Sequence, residues 1–133
     1  MPDLARLRVL VIDDEPHIVK VIRKQLEIAG FEVSAAGDGS EGLAAVRAWR
    51  PDLVILDILL PGMDGYAVCE ALKRDPALRQ IPVLMLTAKA LPAEQVEGFR
   101  RGADGYLTKP FQLEELLGEI RRLLAKSGTG KGV

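Results

Sequence analysis

Leu53-Val54-Ile55-Leu56-Asp57 is the stretch that decides how this chain folds. Aliphatic residues in unbroken succession, without polar alternation, read as a strand covered on both faces, the habit of parallel sheets. The run closes on a carboxylate. Toward the N-terminus, the apolar run 7–12 ends in Asp13-Asp14. Toward the C-terminus, Val83-Leu84-Met85-Leu86 ends in Thr87, and Gly105-Tyr106-Leu107-Thr108 ends in Lys109. Ligands of open parallel sheets sit outside the carboxyl ends of the strands. Three acids, a hydroxyl and an ammonium at those ends therefore predict one site.

The segments between these runs have helical spacing. Residues 16–29 carry Ile18, Ile22, Leu26 and Ala29 on one face, with Pro16 suited to a first turn and Gly30 to a C-terminal stop. Residues 31–36 form a shorter, more polar strand, placed nearer an edge. Residues 40–49 read as a second helix stopped by Pro51, and Pro61-Gly62-Met63-Asp64-Gly65 is turn chemistry. Further helices are predicted over 66–74, 92–101 and 112–126, the last with Leu113, Leu116, Leu117, Ile120 and Leu124 apolar. Five strands alternating with five helices predict an α/β, doubly wound parallel sheet with right-handed crossovers. Residues 1–126 are expected to form one domain, and 127–133, rich in glycine, a flexible tail or the start of a linker.

The composition sets outer limits. With 133 residues, 48% hydrophobic and 28% charged, the chain is sized for one globular domain with a real core. A net charge of -1 argues against a sequence-independent nucleic-acid binder, which needs a basic face. The longest apolar runs are strand-sized, far short of a membrane span. Met1-Pro2-Asp3 does not open a secretory signal. Cys69 is the single cysteine, which excludes an internal disulfide and suits a reducing compartment. The cytoplasm is the expected location.

Asp13, Asp14 and Asp57 could each be an ordinary turn residue, and Asp14 before Glu15-Pro16 could cap the first helix. That reading weakens when all three share a sheet edge with Thr87 and Lys109. Like charges a few ångströms apart repel by roughly 1–4 kcal/mol at water-like to intermediate dielectric. A divalent cation removes this cost, and an all-oxygen cluster favours magnesium, or manganese as a similar hard ion. Such an edge suits phosphoryl transfer, in which positioning and charge neutralisation carry most of the catalysis. Asp57 can act as the nucleophile, since carboxylates form acyl phosphates, with Lys109 and Thr87 holding the phosphoryl oxygens.

From about residue 8 to 125 the chain resembles a response-regulator receiver domain of two-component signalling. The resemblance is carried by VLVIDDEP (9–16), PDLVILDILLPGMDGY (51–66), PVLMLTA (82–88) and GADGYLTKPF (102–111). It implies the flavodoxin-like strand order 2-1-3-4-5. It also implies that Asp57 accepts a phosphoryl group from a histidine kinase or phosphotransfer protein. Asp14 and Asp57 would bind magnesium directly together with the Leu59 backbone carbonyl, and Asp13 mainly through water. Thr87 and Lys109 would contact the phosphoryl group, Tyr106 would be the switch aromatic, and the Lys109-Pro110 bond would be cis. Phosphorylation adds about two negative charges at Asp57. It would draw Thr87 inward, free space for Tyr106, and remodel the face of the fourth helix, fifth strand and fifth helix toward a downstream protein or output domain. Such a domain is a switch rather than an enzyme. It is expected to touch neither nucleic acid nor membrane directly, and to be a monomer at rest with at most weak dimerisation on activation.

Other signals have blander readings. Gly37-Asp38-Gly39-Ser40-Glu41-Gly42 spells G-x-G-x-x-G, but it follows the most polar strand, and a glycine-rich turn with Ser40 as helix cap explains it. The Gly-Lys tail lacks the hydroxyl residue and helix of a Walker loop. Haloacid-dehalogenase phosphatases need a second Asp where this chain has Leu59. His17 reads as solvated, Cys69 as helix packing, and Arg100-Arg101 and Arg121-Arg122 as surface charge. Two rivals remain: a receiver within a longer transcription factor, cyclase or hybrid kinase, and a small metal-dependent phosphohydrolase. Many winged-helix regulators carry two acids before the switch aromatic, the second helping to pair two receivers. Here the pair is Asp104-Gly105, which tilts the expectation toward a stand-alone regulator or a non-DNA output.

Overall fold

The structure is a computed structural model and describes residues 7–88 and 100–127. Its elements in chain order are β1 (Arg8–Ile12), α1 (Pro16–Ile28), β2 (Glu32–Ala36), α2 (Gly39–Trp49), β3 (Leu53–Asp57), α3 (Gly65–Arg74), β4 (Val83–Thr87), β5 (Gly105–Thr108) and α4 (Leu113–Ser127). The strands form one parallel sheet in the order β2-β1-β3-β4-β5, so the polar β2 is an edge as expected. The predicted helix 92–101 lies outside the described residues except for its last two, and the tail does so beyond Ser127.

Strand geometry sends successive side chains to opposite faces, and the continuous apolar runs supply both faces at once. Leu10, Ile12, Val54, Leu56, Val83 and Met85 pack with α2 and α3 residues such as Val46, Val68 and Leu72. Val9, Val11, Leu53, Ile55, Leu84 and Leu86 pack with Ile22 and Leu26 of α1 and with Leu116, Ile120 and Leu123 of α4. Every residue of β3 and β4 is buried, including the polar terminal ones. Among the described residues no helix is long and apolar enough to cross a membrane.

Three local expectations are corrected. Ala29 is exposed: α1 ends at Ile28, Ala29 is its C-cap, and Gly30 takes the positive φ of 104° that stops the helix. Asp14 does not cap α1; the N-cap is Glu15, whose side chain makes no capping bond. Asp38, not Ser40, caps α2 by accepting from Glu41 N at 2.7 Å, while Glu41 Oε1 accepts from Gly37 N at 2.6 Å. That reciprocal box fills the helix N-terminus with two carboxylates, so the glycine motif cradles no phosphate. Two of its glycines serve packing instead: a Cβ on Gly39 would meet Val68 Cγ2 at 2.8 Å, and one on Gly42 would meet Ile12 Cδ1 at 2.5 Å.

The amino-terminal end of the sheet is tied together by paired charges. Lys73 Nζ on α3 donates to Arg79 O (3.0 Å), Ile81 O (2.9 Å) and Asp104 Oδ2 (2.8 Å), which uses all three of its N–H groups. The same Asp104 oxygen accepts from Val83 N at 2.8 Å. Across the sheet Asp52 Oδ2 accepts from Arg8 N at 2.8 Å, and the Arg8 guanidinium lies 5.3 Å from the Trp49 ring centroid.

Candidate functional site: an acidic cluster at the carboxyl ends of the strands

Register brings the site together. Ile12 pairs with Leu56 and Asp57 with Leu86, so Asp13 and Asp57 leave adjacent strands at nearly the same height. Thr87 pairs with Thr108, which places Thr87 one step, and Lys109 two steps, farther along the same edge. Lys109 N also donates to Thr87 O at 2.7 Å. Asp13, Asp57 and Thr87 are buried, with 2%, 6% and 5% of their surfaces exposed, whereas Asp14 is exposed.

One carboxylate oxygen from each of Asp13, Asp14 and Asp57 lies within 4.8 Å of the others. This is an all-oxygen set open to solvent on one side through Asp14, the donor chemistry a hard divalent cation requires. The residues therefore fit a magnesium-type ion. Leu59, expected to supply a backbone carbonyl, donates its N–H to Asp57 Oδ1 at 3.3 Å, and its side chain is 73% exposed beside the cluster.

Lys109 Nζ reaches into the cluster, 3.2 Å from Asp13 Oδ2, 3.4 Å from Glu15 Oε1 and 3.5 Å from Asp57 Oδ2. The electrostatics follow. Burial, and then the neighbouring Asp13, push the Asp57 carboxyl above its ordinary range; Lys109 and the Leu59 N–H oppose this without cancelling it. Burial acts to lower the Lys109 ammonium, but Asp57, Asp13 and Glu15 together outweigh it and hold the group above its ordinary value. Asp57 is thus an acid kept in an unfavourable place, and among the described residues Lys109 is the one cation shared by Asp13, Glu15 and Asp57.

Tyr106 lies half-buried on β5, with its hydroxyl 2.9 Å from that of Tyr66. The Lys109-Pro110 peptide is cis. Of the residues set aside, His17 is exposed, and Cys69 is buried, with its thiol pushed up to about 11 chiefly by that burial, so it is no nucleophile at neutral pH.

Three contributors escaped the sequence reading. Glu15 joins the site through Lys109; the signal was available, since it directly follows the acid pair. Gly65 lets α3 start directly against the end of β3: its N–H donates to Ile58 O at 2.7 Å, and a Cβ there would lie 2.4 Å from Asp57 O. Within a Pro/Gly-rich turn that role looks like any other glycine. Tyr66 carried no signal at all, because an aromatic in the first turn of a helix is ordinary core.

Comparison with known proteins agrees with this geometry. The chain is 47% identical over 120 residues to the DNA-binding dual master transcriptional regulator RpaA of Synechocystis sp., a match covering 90% of this chain and 50% of that protein. It is 43% identical over 125 residues to the DNA-binding response regulator MtrA of Mycolicibacterium smegmatis, covering 94% and 54%. The chain thus spans about half the length of these relatives. Among solved structures, chemotaxis protein CheY4 of Vibrio cholerae superposes with a TM-score of 0.85 at 36% identity, covering 89% of this chain and 98% of that one. The receiver domain of a Francisella response regulator gives 0.85 at 30%, covering 92% and 99%. The family description "response regulator receiver domain" matches residues 9–121. An edge where several buried and half-open acids compete for one lysine, on a sheet of this order, is therefore that of a known signalling family: the chain belongs to the response-regulator receiver domains.

Proposed function

We propose that this chain is a phosphorylation-activated switch of a two-component system in which Asp57 is the phosphoacceptor. The observation that carries the reading is the charge imbalance around Asp57, where Asp13, Asp57 and Glu15 all face one ammonium. A buried carboxylate at the end of an apolar strand is a poor structural choice and a sensible nucleophile. Its oxygen attacks the phosphorus of a phosphohistidine on a kinase or phosphotransfer protein; the O–P bond forms, the P–N bond breaks, and the imidazole leaves as the neutral ring after taking up a proton.

Asp13, Asp14 and Asp57 would hold magnesium or manganese, with the Leu59 carbonyl as a further ligand. When bound, the cation neutralises charge on the cluster and on the phosphoryl oxygens. Lys109 is already within reach of Asp57 and needs only to exchange a carboxylate for a phosphoryl oxygen. The Thr87 hydroxyl, at the end of the neighbouring strand, supplies a second donor. Movement of Thr87 and Tyr106 then alters the face built from the segment before β5, β5 itself and α4, and so changes which partner binds. The domain acts on no external substrate in this reading, and residues 1–126 are its extent. Incubating the chain with magnesium and a small acyl-phosphate donor should add one phosphoryl group, and mapping it to any residue other than Asp57 would refute the assignment.

A second reading makes this chain the receiver part of a longer regulator. It is favoured by the two relatives named as DNA-binding regulators, of which the chain spans about half. That shifts weight away from the stand-alone regulator suggested by Asp104-Gly105. The geometry at that pair still bears on self-association: Asp104 is engaged with Lys73 and Val83 N, and a Cβ on Gly105 would lie 3.0 Å from Leu123 Cδ1. A monomer that at most weakly dimerises when activated is the expected state. Light scattering with and without beryllofluoride tests it, and a tight activated dimer would favour the longer-regulator reading.

A further inference from the structure

We infer that Tyr66 is a positioning residue for Tyr106: its hydroxyl fixes the orientation of the Tyr106 ring and ties the start of α3 to the strand expected to carry the response. This rests on the phosphorylation switch proposed above and names a part of it that the family resemblance does not supply.

Several observations converge on the pair. The two hydroxyls share a hydrogen bond at 2.9 Å, and both rings pack against the α2–α3 side of the core. A phenol both donates and accepts, so each hydroxyl can complete the other in a partly buried setting where water competes poorly. The Tyr66 ring is itself held. The Arg101 guanidinium lies 5.1 Å from its centroid, and Arg101 Nη1 lies 3.9 Å from Glu70 Oε1. Tyr66 and Glu70 are four apart on α3 and so lie on one face of the helix. Arg101 comes from the chain just before β5. The cluster therefore joins three pieces of chain: α3, the approach to β5, and β5.

The other end of the connection leads to the phosphoacceptor. Gly65, the neighbour of Tyr66, packs its backbone on Asp57 and Ile58. Tyr106 pairs in register with Met85, two residues before Thr87. Swinging the Tyr106 ring to a different rotamer carries its hydroxyl away from Tyr66, so the bond favours one ring orientation over others. A net hydrogen bond of ordinary strength corresponds to about a 2- to 10-fold bias in such an equilibrium. That is enough to tune a switch whose states lie within a few kcal/mol of each other, and too little to lock it.

The alternative is that the two rings only fill space. Phenylalanine separates the two roles, because it keeps the ring and its contact with Arg101 and removes only the hydroxyl. The experiment measures beryllofluoride affinity in magnesium for the full chain, for Tyr66→Phe, for Tyr106→Phe and for the double variant. Each single change should shift that affinity by about 2- to 10-fold in the same direction, and the double should shift it no further than either single. Magnesium affinity measured alone should be unchanged in Tyr66→Phe, and the Tyr106 ring resonances should move. Single effects that multiply in the double variant, or a Tyr66→Phe chain that matches wild type, would overturn the positioning role and leave the switch intact. A wild-type chain that does not take up beryllofluoride would instead bring down the switch reading itself, and this inference with it.

Discussion

The two ends of the sheet are made from the same chemistry and use it in opposite ways. At the amino-terminal end Lys73 meets one carboxylate and two carbonyls at 2.8 to 3.0 Å, and every N–H of the ammonium is used. At the carboxyl end Lys109 is spread over three carboxylates at 3.2 to 3.5 Å, with Asp14 close by in the same cluster. The first arrangement is closed, one cation for one anion, with backbone groups completing the set. The second, among the described residues, has one cation for several anions. A lysine beside an aspartate is therefore not informative by itself. The ratio of charges and the use of the remaining donors distinguish a lock from a site.

The largest test of this contrast removes the proposed phosphoacceptor. Asp57→Asn should abolish labelling by an acyl-phosphate donor, as read by intact-mass spectrometry, whereas Asp104→Asn at the closed end should label like wild type. Next in size is the cation. Asp14→Ala should weaken magnesium binding at least about tenfold in a calorimetric titration, since it deletes a proposed charged ligand, and labelling should fail with Asp57 still present. Unchanged affinity would mean that the open end is not a metal site.

The lysines give a smaller and sharper comparison. Lys73→Met strands Asp104 and two carbonyls and should cost about 2 kcal/mol in denaturant unfolding, with no recovery on adding magnesium. Lys109→Met should cost a similar amount without the ion, yet recover most of it in millimolar magnesium, because a cation can take over the neutralising role. Equal responses of both variants to magnesium would erase the distinction drawn here.

The smallest effect concerns pH. The folded state holds the Asp57 proton more tightly than the unfolded chain, whose carboxyl titrates near the ordinary 3.8. Its contribution to stability is therefore fully present below that value and is lost as pH rises through the raised folded-state value. Without metal, Asp57→Asn should remove this loss, so the gain in stability of the variant over wild type should grow from pH 3 to pH 7. A gain that shrinks over that range would contradict the sign of the shift.

The contrast also shows what could be read in the sequence. The carboxyl end was legible because the strands write their own endings: three buried apolar runs stop at Asp13, Asp57 and Thr87, the more exposed β5 stops at Lys109, and a parallel sheet brings those stops to one edge. The strand order was legible through family likeness rather than through periodicity. The amino-terminal lock was not legible. Lys73 sits in an amphipathic helix among ordinary surface charges, and only the folded chain shows its ammonium against the carbonyls of 79 and 81. Helix caps failed for a related reason. Ser40 and Asp14 are good capping types, but the turns place Asp38 and Glu15 at the positions that count. Tyr66 was invisible because its role depends on a ring forty residues away.

Gly65 has a mechanical consequence. With the Gly65 N–H 2.7 Å from Ile58 O and no room for a Cβ against the Asp57 backbone, α3 begins hard against the strand that ends in Asp57. The start of that helix cannot settle any closer and is held from leaving by its own hydrogen bond. In the proposed switch it would act as a stator: a fixed post beside Asp57, against which the parts on the β4–β5 side would turn.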